Sequence, residues 1–342
     1  MEKDQETSMI DKDPDMIDFP NQLEWEELEA ENRRRRRRLR WISLLLIPAL
    51  FMLMVLAPAF SVIRTLVRIQ AGWLTDDQAE ELVRLVEANY LYPEAFDSPR
   101  VQQARDQLFG GHRIHRSGFE AYLHSVTQAA GDPYTTFVYD TFYTRTWSRR
   151  AAMTEEIRAQ RMSDREVLIT LPAFTPGSGS RVEELLGEHP ESDILYIDLR
   201  GNPGGSLEEL MQVASLIFPA GTEIVRLAGR TRREVWQTGN QPLDHVRSIT
   251  VFVDEYTASS AEILALSLLL HNRGQVVGHA TAGKNVGQLE QNQADQRMSL
   301  SLVSFRWQVL GEDPAHLQTY LERYKDINLN RTVDFVSIAR QL

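Results

Sequence analysis

The stretch from Ile249 to Gln288 constrains this chain more than any other. Ile249-Thr250-Val251-Phe252-Val253 has the length and β-branched content of an interior strand. After the small residues of Thr257-Ala258-Ser259-Ser260-Ala261-Glu262, an alanine- and leucine-rich helix is predicted from Ile263 to Leu270. Ser259 is therefore expected where a strand becomes a helix. A hydroxyl there projects beyond the sheet edge, and the first amides of the helix have no partner inside it and can donate to a developing oxyanion. A second apolar strand, Gln275-Val276-Val277-Gly278, leads into Gly283-Lys284 and then Gln288. The two turns can lie side by side at the same end of a parallel sheet, where open α/β sheets place their sites.

A serine hydroxyl is a poor nucleophile until a neighbouring base accepts its proton, and no histidine lies within the serine turn. Lys284 is the candidate base. Lysine accepts a proton only when neutral, and burial among apolar groups lowers its pKa towards the working range. Gln288 is placed to hold the amine in line.

Thr257 to Ile263 and Gly283 to Gln288 resemble the serine and lysine motifs of the C-terminal processing (tail-specific) peptidases, roughly Ser-Ala-Ser-Ala-Ser-Glu-Ile and Gly-Lys-Gly-x-x-Gln. The resemblance implies an α/β core of the crotonase and ClpP-like class with a helical N-terminal section. It also implies that Ser259 is the nucleophile, Lys284 the base and Gln288 the orienting residue. Asp193 to Gly205, an apolar strand ending in Gly201-Asn202-Pro203-Gly204-Gly205, is similar to the family's Asp-Leu-Arg-Gly-Asn-Pro-Gly-Gly element. That similarity implies an oxyanion hole made by the amide of Ser260 and that of Gly204 or Gly205. Glycines suit the task, because a substrate carbonyl must approach bare backbone closely.

Toward the N-terminus, residues 1–40 are an acidic tail followed by Arg33 to Arg38 and Arg40. The acidic part buries too little to offset its ordering entropy and reads as solvated; Leu23, Trp25 and Leu28 offer a short partner-binding helix as the alternative. Trp41 to Ile63 carries no charge over about the length that crosses a bilayer, and the basic cluster before it marks the cytoplasmic side. The expectation is a retained single-pass anchor at 41–63 in the cell membrane, with the tail cytoplasmic and the rest extracytoplasmic.

Beyond the anchor, 72–138 reads as a helical section with helices from Thr75 to Tyr90 and Phe119 to Ala129. Gly131 to Phe137 then resembles the family's Asp-Pro-His-Ser/Thr turn, with Tyr134 in place of the histidine. The segment from Tyr139 to about Arg165 is too short for the PDZ domain that the best-known family members insert there, so another surface or a partner must present substrates. The catalytic core is assigned to 165–310. It holds a strand from Arg165 to Phe174, helices near Arg181 to Leu186 and from Ser206 to Ile217, and strand–helix alternation through Gly278 as parallel β-α units. A half-exposed strand is read from Met298 to Trp307, and 311–342 is a helical extension around Ala315 to Tyr324.

Other chemistries are set aside on specific residues. The chain has no cysteine, which excludes disulfides and thiol catalysis, and its net charge of −11 gives no reason to expect nucleic acid. Gly278 to Lys284 fits most of a phosphate-binding loop, but Asn285 stands where a metal-binding Ser or Thr belongs and no helix pattern follows. His271 and His279 are given structural roles, His112 and His115 lack further ligands, and neither metal nor cofactor is expected. The function expected is that of a membrane-anchored serine endopeptidase acting on extracytoplasmic proteins or peptides, including near their C-termini, with an adaptor or activator as a partner. The alternative is a membrane-anchored scaffold that keeps the fold without the chemistry.

Overall fold

The computed structural model describes residues 72–342 apart from 112, 240–242, 328, 330 and 331. The acidic tail, the arginine cluster and the apolar span at 41–63 lie outside the described residues, as does His112. Among the described residues no helix is long and apolar enough to cross a membrane.

In chain order the regular elements are β1 (Trp73–Leu74), α1 (Asp76–Asn89), α2 (Pro99–Phe109), β2 (Ile114–His115), α3 (Arg116–Ala130), β3 (Thr136–Tyr139) and α4 (Asp140–Glu155). They continue with β4 (Arg158–Arg161), β5 (Glu166–Thr170), α5 (Ser178–Gly187), β6 (Ile194–Asp198), α6 (Leu207–Ile217), β7 (Glu223–Gly229) and β8 (Arg233–Gln237). The last are β9 (Ser248–Val253), α7 (Ser260–Leu270), β10 (Gln275–Gly278), β11 (Val286–Gln293), β12 (Met298–Gln308), α8 (Pro314–Leu321) and α9 (Thr332–Ala339).

The first sheet has the order β10-β9-β6-β5-β4, parallel except for the antiparallel edge strand β4. Its central strands are buried on both faces: β9 is buried from Ile249 to Val253, as continuous apolar strands under helices must be. α7 is buried at every residue from Ser260 to Leu268 and packs against β10 of this sheet, β7 of the second sheet, α6 and α8. A helix that is apolar all round has no solvent face to offer, and here it fills the space between two sheets.

The second sheet is antiparallel, in the order β11-β12-β7-β8, with β3 also paired to β12. It breaks the expected strand–helix alternation, because after α6 the chain leaves the parallel sheet for the β7–β8 hairpin before returning as β9. The reading of β12 as half-exposed is also corrected. Met298, Leu300, Leu302 and Val303 face a cluster formed with the N-terminal helices, whereas Phe305 and Trp307 join the main core. The inward parity switches because the β11 pairing skips a residue, Gly287 opposing Phe305 and Gln288 opposing Val303. Such a bulge turns the following side chains to the other face.

α1 is closed at its start by a capping box between Thr75 and Gln78, and α3 extends from Arg116, with His115 as its cap. α2 was not anticipated, although proline at its first position is a common helix opening. Between β3 and β5 the chain builds only α4 and β4. α4 has no fully buried residue and is tied by polar contacts: Tyr143 to Asn292, Arg150 to Glu290, and Thr154 to Thr175.

Candidate active site

Three segments meet at the carboxyl ends of β6, β9 and β10. The first is the serine turn. Ser259 precedes α7 with φ 55° and ψ −120°, a backbone setting that non-glycine residues rarely adopt and that costs about 1–3 kcal/mol. What holds it there is Glu262, fully buried one turn into the helix, whose Oε2 accepts the Ser259 amide at 2.8 Å.

The second segment is the glycine turn after β6. Asn202, fully buried, braces it: its carbonyl accepts from the Ala258 amide (2.9 Å), its side-chain nitrogen donates to the Leu171 carbonyl (2.8 Å), and its Oδ1 accepts the Gly204 amide (2.8 Å). Thr257 Oγ donates to the Leu199 carbonyl and Gly201 donates to Asp254, so this turn and the serine turn are one braced unit. Gly204 has φ +95°, and a Cβ on it would lie 2.7 Å from the Ala258 carbonyl oxygen and 2.8 Å from Ser259 Cβ. Only glycine fits that approach. With the Gly204 amide committed to Asn202, the amides of Gly205 and Ser260 are left without a protein acceptor among the described residues. Ser260 Oγ donates to the Gly205 carbonyl (2.9 Å) and fixes the pair side by side.

The third segment is the loop from β10 to β11. Glu262 reaches it as well: Oε1 accepts from Thr281 Oγ and the Gly283 amide, both at 2.7 Å, and Oε2 accepts the Lys284 amide at 3.0 Å. Lys284 Nζ donates to Gln288 Oε1 at 2.7 Å, and Gln288 Nε2 donates to the Tyr134 carbonyl at 2.9 Å. Burial holds the Lys284 amine below the ordinary lysine range, against the opposing pull of Glu262, Glu290 and Asp132. Burial likewise pushes the Glu262 carboxyl up, although its four donors favour the ionised form.

Ser259, Ser260, Gly204, Gly205, Lys284 and Gln288 all line one cleft. All six residues singled out from the sequence are thus brought together. The cleft walls are apolar where Phe174, Ile263, Phe305 and Trp307 reach it, and Trp147 and Met153 of α4 line it as well. The sequence reading missed Glu262 and Asn202 as braces, though both sit inside the quoted motifs. It assigned Tyr134 only to a turn.

Among the described residues the histidines stay outside this arrangement. His271 Nε2 lies 2.7 Å from the Glu223 carbonyl at the end of α7, His115 caps α3, and His279 does not line the cleft. Among the described residues no group of acidic or histidine side chains is disposed to hold a metal ion.

A parallel α/β core that brings a helix-start serine, a half-buried lysine and two amides unclaimed among the described residues into one cleft has the parts of a serine-hydrolase type of domain. Residues 167–310, which run from β5 past the end of β12, match the model of Peptidase family S41. The chain is 30% identical over 144 residues to a probable CtpA-like serine protease of Staphylococcus aureus (strain COL), covering 41% of this chain and 29% of that protein. A probable CtpA-like serine protease of Staphylococcus epidermidis is 24% identical over 144 residues, with the same coverage of 41% and 29%. The match therefore spans less than a third of those relatives. The fold is shared with a photosystem II D1 C-terminal processing protease (TM-score 0.52, 15% identity, 70% of this chain and 91% of that one). It is shared also with a lipoprotein from Streptococcus agalactiae (TM-score 0.54, 16% identity, 72% and 95%).

Proposed function

We propose that this protein is a serine endopeptidase working through Ser259 and Lys284 on a core of the crotonase and ClpP-like class. The observation that carries the reading is the state of the lysine: Lys284 is half-buried in the cleft that Ser259 lines, with its pKa lowered and its amine held by Gln288. A neutral amine takes the Ser259 proton as Oγ attacks the scissile carbonyl, and the Lys284 ammonium so formed protonates the leaving amine. An acyl-enzyme ester on Ser259 remains. Neutral Lys284 next removes a proton from water, which attacks the ester, and the ammonium returns that proton to Ser259 Oγ as the bond to the acyl group breaks and the acid product leaves. The amides of Ser260 and Gly205 receive the oxyanion in both halves, since the Gly204 amide is already spent on Asn202.

Membrane attachment belongs to the same proposal. The uncharged run from Trp41 to Ile63 behind an arginine cluster supports a single-pass anchor with the tail cytoplasmic and the peptidase domain extracytoplasmic. The substrates are proteins or peptides, including their C-terminal regions, and with only α4 and β4 between β3 and β5 an adaptor or activator protein presents them.

Incubation of the full chain with an unfolded model protein, beside Ser259→Ala and Lys284→Ala and with mass spectrometry of the fragments, tests this. Cleavage by the wild type alone is expected. Undiminished turnover in either variant would refute the assignment, and a wild type that cleaves nothing would favour the scaffold alternative.

A further inference from the structure

The face of Lys284 not taken by Gln288 is met by an aromatic ring. Lys284 Nζ lies 5.0 Å from the centre of the Tyr134 ring, within the distance at which a π face attracts an ammonium group. Tyr134 is not part of the peptidase core. It is carried by the turn that follows α3, and that turn is fixed at several points. Asp132 Oδ1 accepts the amides of Tyr134 (2.8 Å) and Thr135 (3.3 Å), and its Oδ2 accepts the hydroxyl of Tyr90 from the end of α1 (2.9 Å). Thr135 Oγ accepts the Val303 amide of β12 at 2.9 Å, and the Tyr134 carbonyl accepts from Gln288.

We propose that Tyr134 is a positioning residue for the lysine: its ring stabilises the Lys284 ammonium that forms when Ser259 gives up its proton, and the helical section delivers that ring to the site. The role in turnover rests on the peptidase reading, whereas the contact between ring and ammonium does not. The acidic groups that act on the amine are otherwise engaged. Glu262, from α7, is spent on three amides and a hydroxyl; Glu290, from β11, is paired with Arg150 of α4; Asp132 is spent on its own turn and Tyr90. The ammonium gains little from carboxylates already committed elsewhere, which leaves the Gln288 oxygen and the Tyr134 ring as its close partners.

The lysine content makes the contact measurable. Lys3, Lys12 and Lys325 are the other lysines, and Lys325 is exposed beside Glu322. The side-chain ¹³C signal of Lys284 can therefore be followed by NMR in the full chain, with Lys284→Met identifying it. Tyr134→Leu keeps apolar bulk over the amine and removes the π face, and Tyr134→Phe keeps both. In the leucine variant the Lys284 pKa is expected to fall by roughly half to one unit, while the phenylalanine variant titrates with the wild type. Turnover should follow: the leucine variant loses roughly 2- to 30-fold at its high-pH plateau and its acid limb moves to lower pH. Leucine and wild-type chains that titrate together would overturn the proposal. So would a phenylalanine variant as impaired as the leucine one, since that would point to the hydroxyl or to folding. A wild type that cleaves nothing overturns the role in turnover together with the peptidase reading, and the titration still decides the contact.

Discussion

Glu262 and Lys284 are joined through the backbone: the buried carboxylate accepts the Lys284 amide at 3.0 Å with the same oxygen that accepts the Ser259 amide at 2.8 Å. One acidic side chain thus sets the distance between the turn that carries the serine and the loop that carries the lysine. It acts on main-chain atoms and leaves the Ser259 hydroxyl and the Lys284 amine to the cleft.

Glu262→Gln is accordingly expected to be costly despite its similar shape. One oxygen becomes an NH2 group facing donors that have lost their acceptor, and buried donors left unpaired cost about 1–3 kcal/mol each. Thermal unfolding should show a lowered midpoint. Peptidase turnover should fall on the order of tenfold or more, since a small misplacement of catalytic groups is amplified in the rate. Full stability and turnover in this variant would show that the strut is dispensable.

Lys284→Met should separate stability from activity. The pKa of the half-buried amine is depressed below its ordinary value of 10.5, so the unfolded chain binds the proton more readily than the folded one. The resulting penalty is fully present below the folded pKa and is relieved as pH rises towards 10.5. The methionine variant is therefore expected to be more stable than the wild type near neutral pH. That advantage should narrow under alkaline conditions, and turnover should be lost. Denaturant unfolding at both pH values is the check; a methionine variant less stable than the wild type at neutral pH would contradict it.

Gly204→Ala introduces a methyl group where the Ala258 carbonyl and the Ser259 side chain already stand, at a φ of +95°. The turn must shift or the protein must unfold, at a cost of about 1–3 kcal/mol. Because the turn also presents the Gly205 amide, turnover is expected to fall further than stability does. Parallel measurement of melting temperature and cleavage rate distinguishes this from a purely structural defect.

At the far end of the chain, Arg340 forms a two-pronged ion pair with Glu166 of β5, and the Tyr196 hydroxyl donates to the same carboxylate. The Arg340 guanidinium holds the Glu166 carboxyl down at about 2, against an ordinary 4.5. A depressed carboxyl stabilises the fold above 4.5, and that contribution drains away as pH falls from 4.5 through about 2. Arg340→Ala should flatten the loss of stability across that acid window. The effect should be modest, since the arginine side chain is half exposed. Unfolding midpoints across the acid range, wild type against variant, give the comparison.

The elements that carry Ser259 and Lys284 were legible because their signals are local. β9, α7 and β10 follow from runs of β-branched and aliphatic residues, and the serine, glycine and lysine turns from short motifs whose spacing survives into the structure. The N-terminal helix α1 announced itself by spacing and a cap and most of α3 was read as well, whereas α2 was not, its apolar positions being few. β12 was misread as half-exposed because alternation tells which side chains share a face, and not whether the second face is covered. A one-residue skip opposite Gly287 then sent its two ends into different cores.

By itself, then, the sequence determined the α/β core, the order of its turns and the six residues gathered in the cleft, since each rests on neighbours within a few positions. Tertiary structure alone decided which amides stand free beside Ser259, because Asn202 claims that of Gly204 through a bond only the folded turn can make. It decided too that Glu262 spans from helix to loop, and that a ring from the helical section closes over Lys284 from 150 positions away in the chain, as the sequence numbers 134 and 284 give. Hydrogen bonds and ring contacts between distant segments leave no periodicity to read. They exist only once burial has brought the segments together.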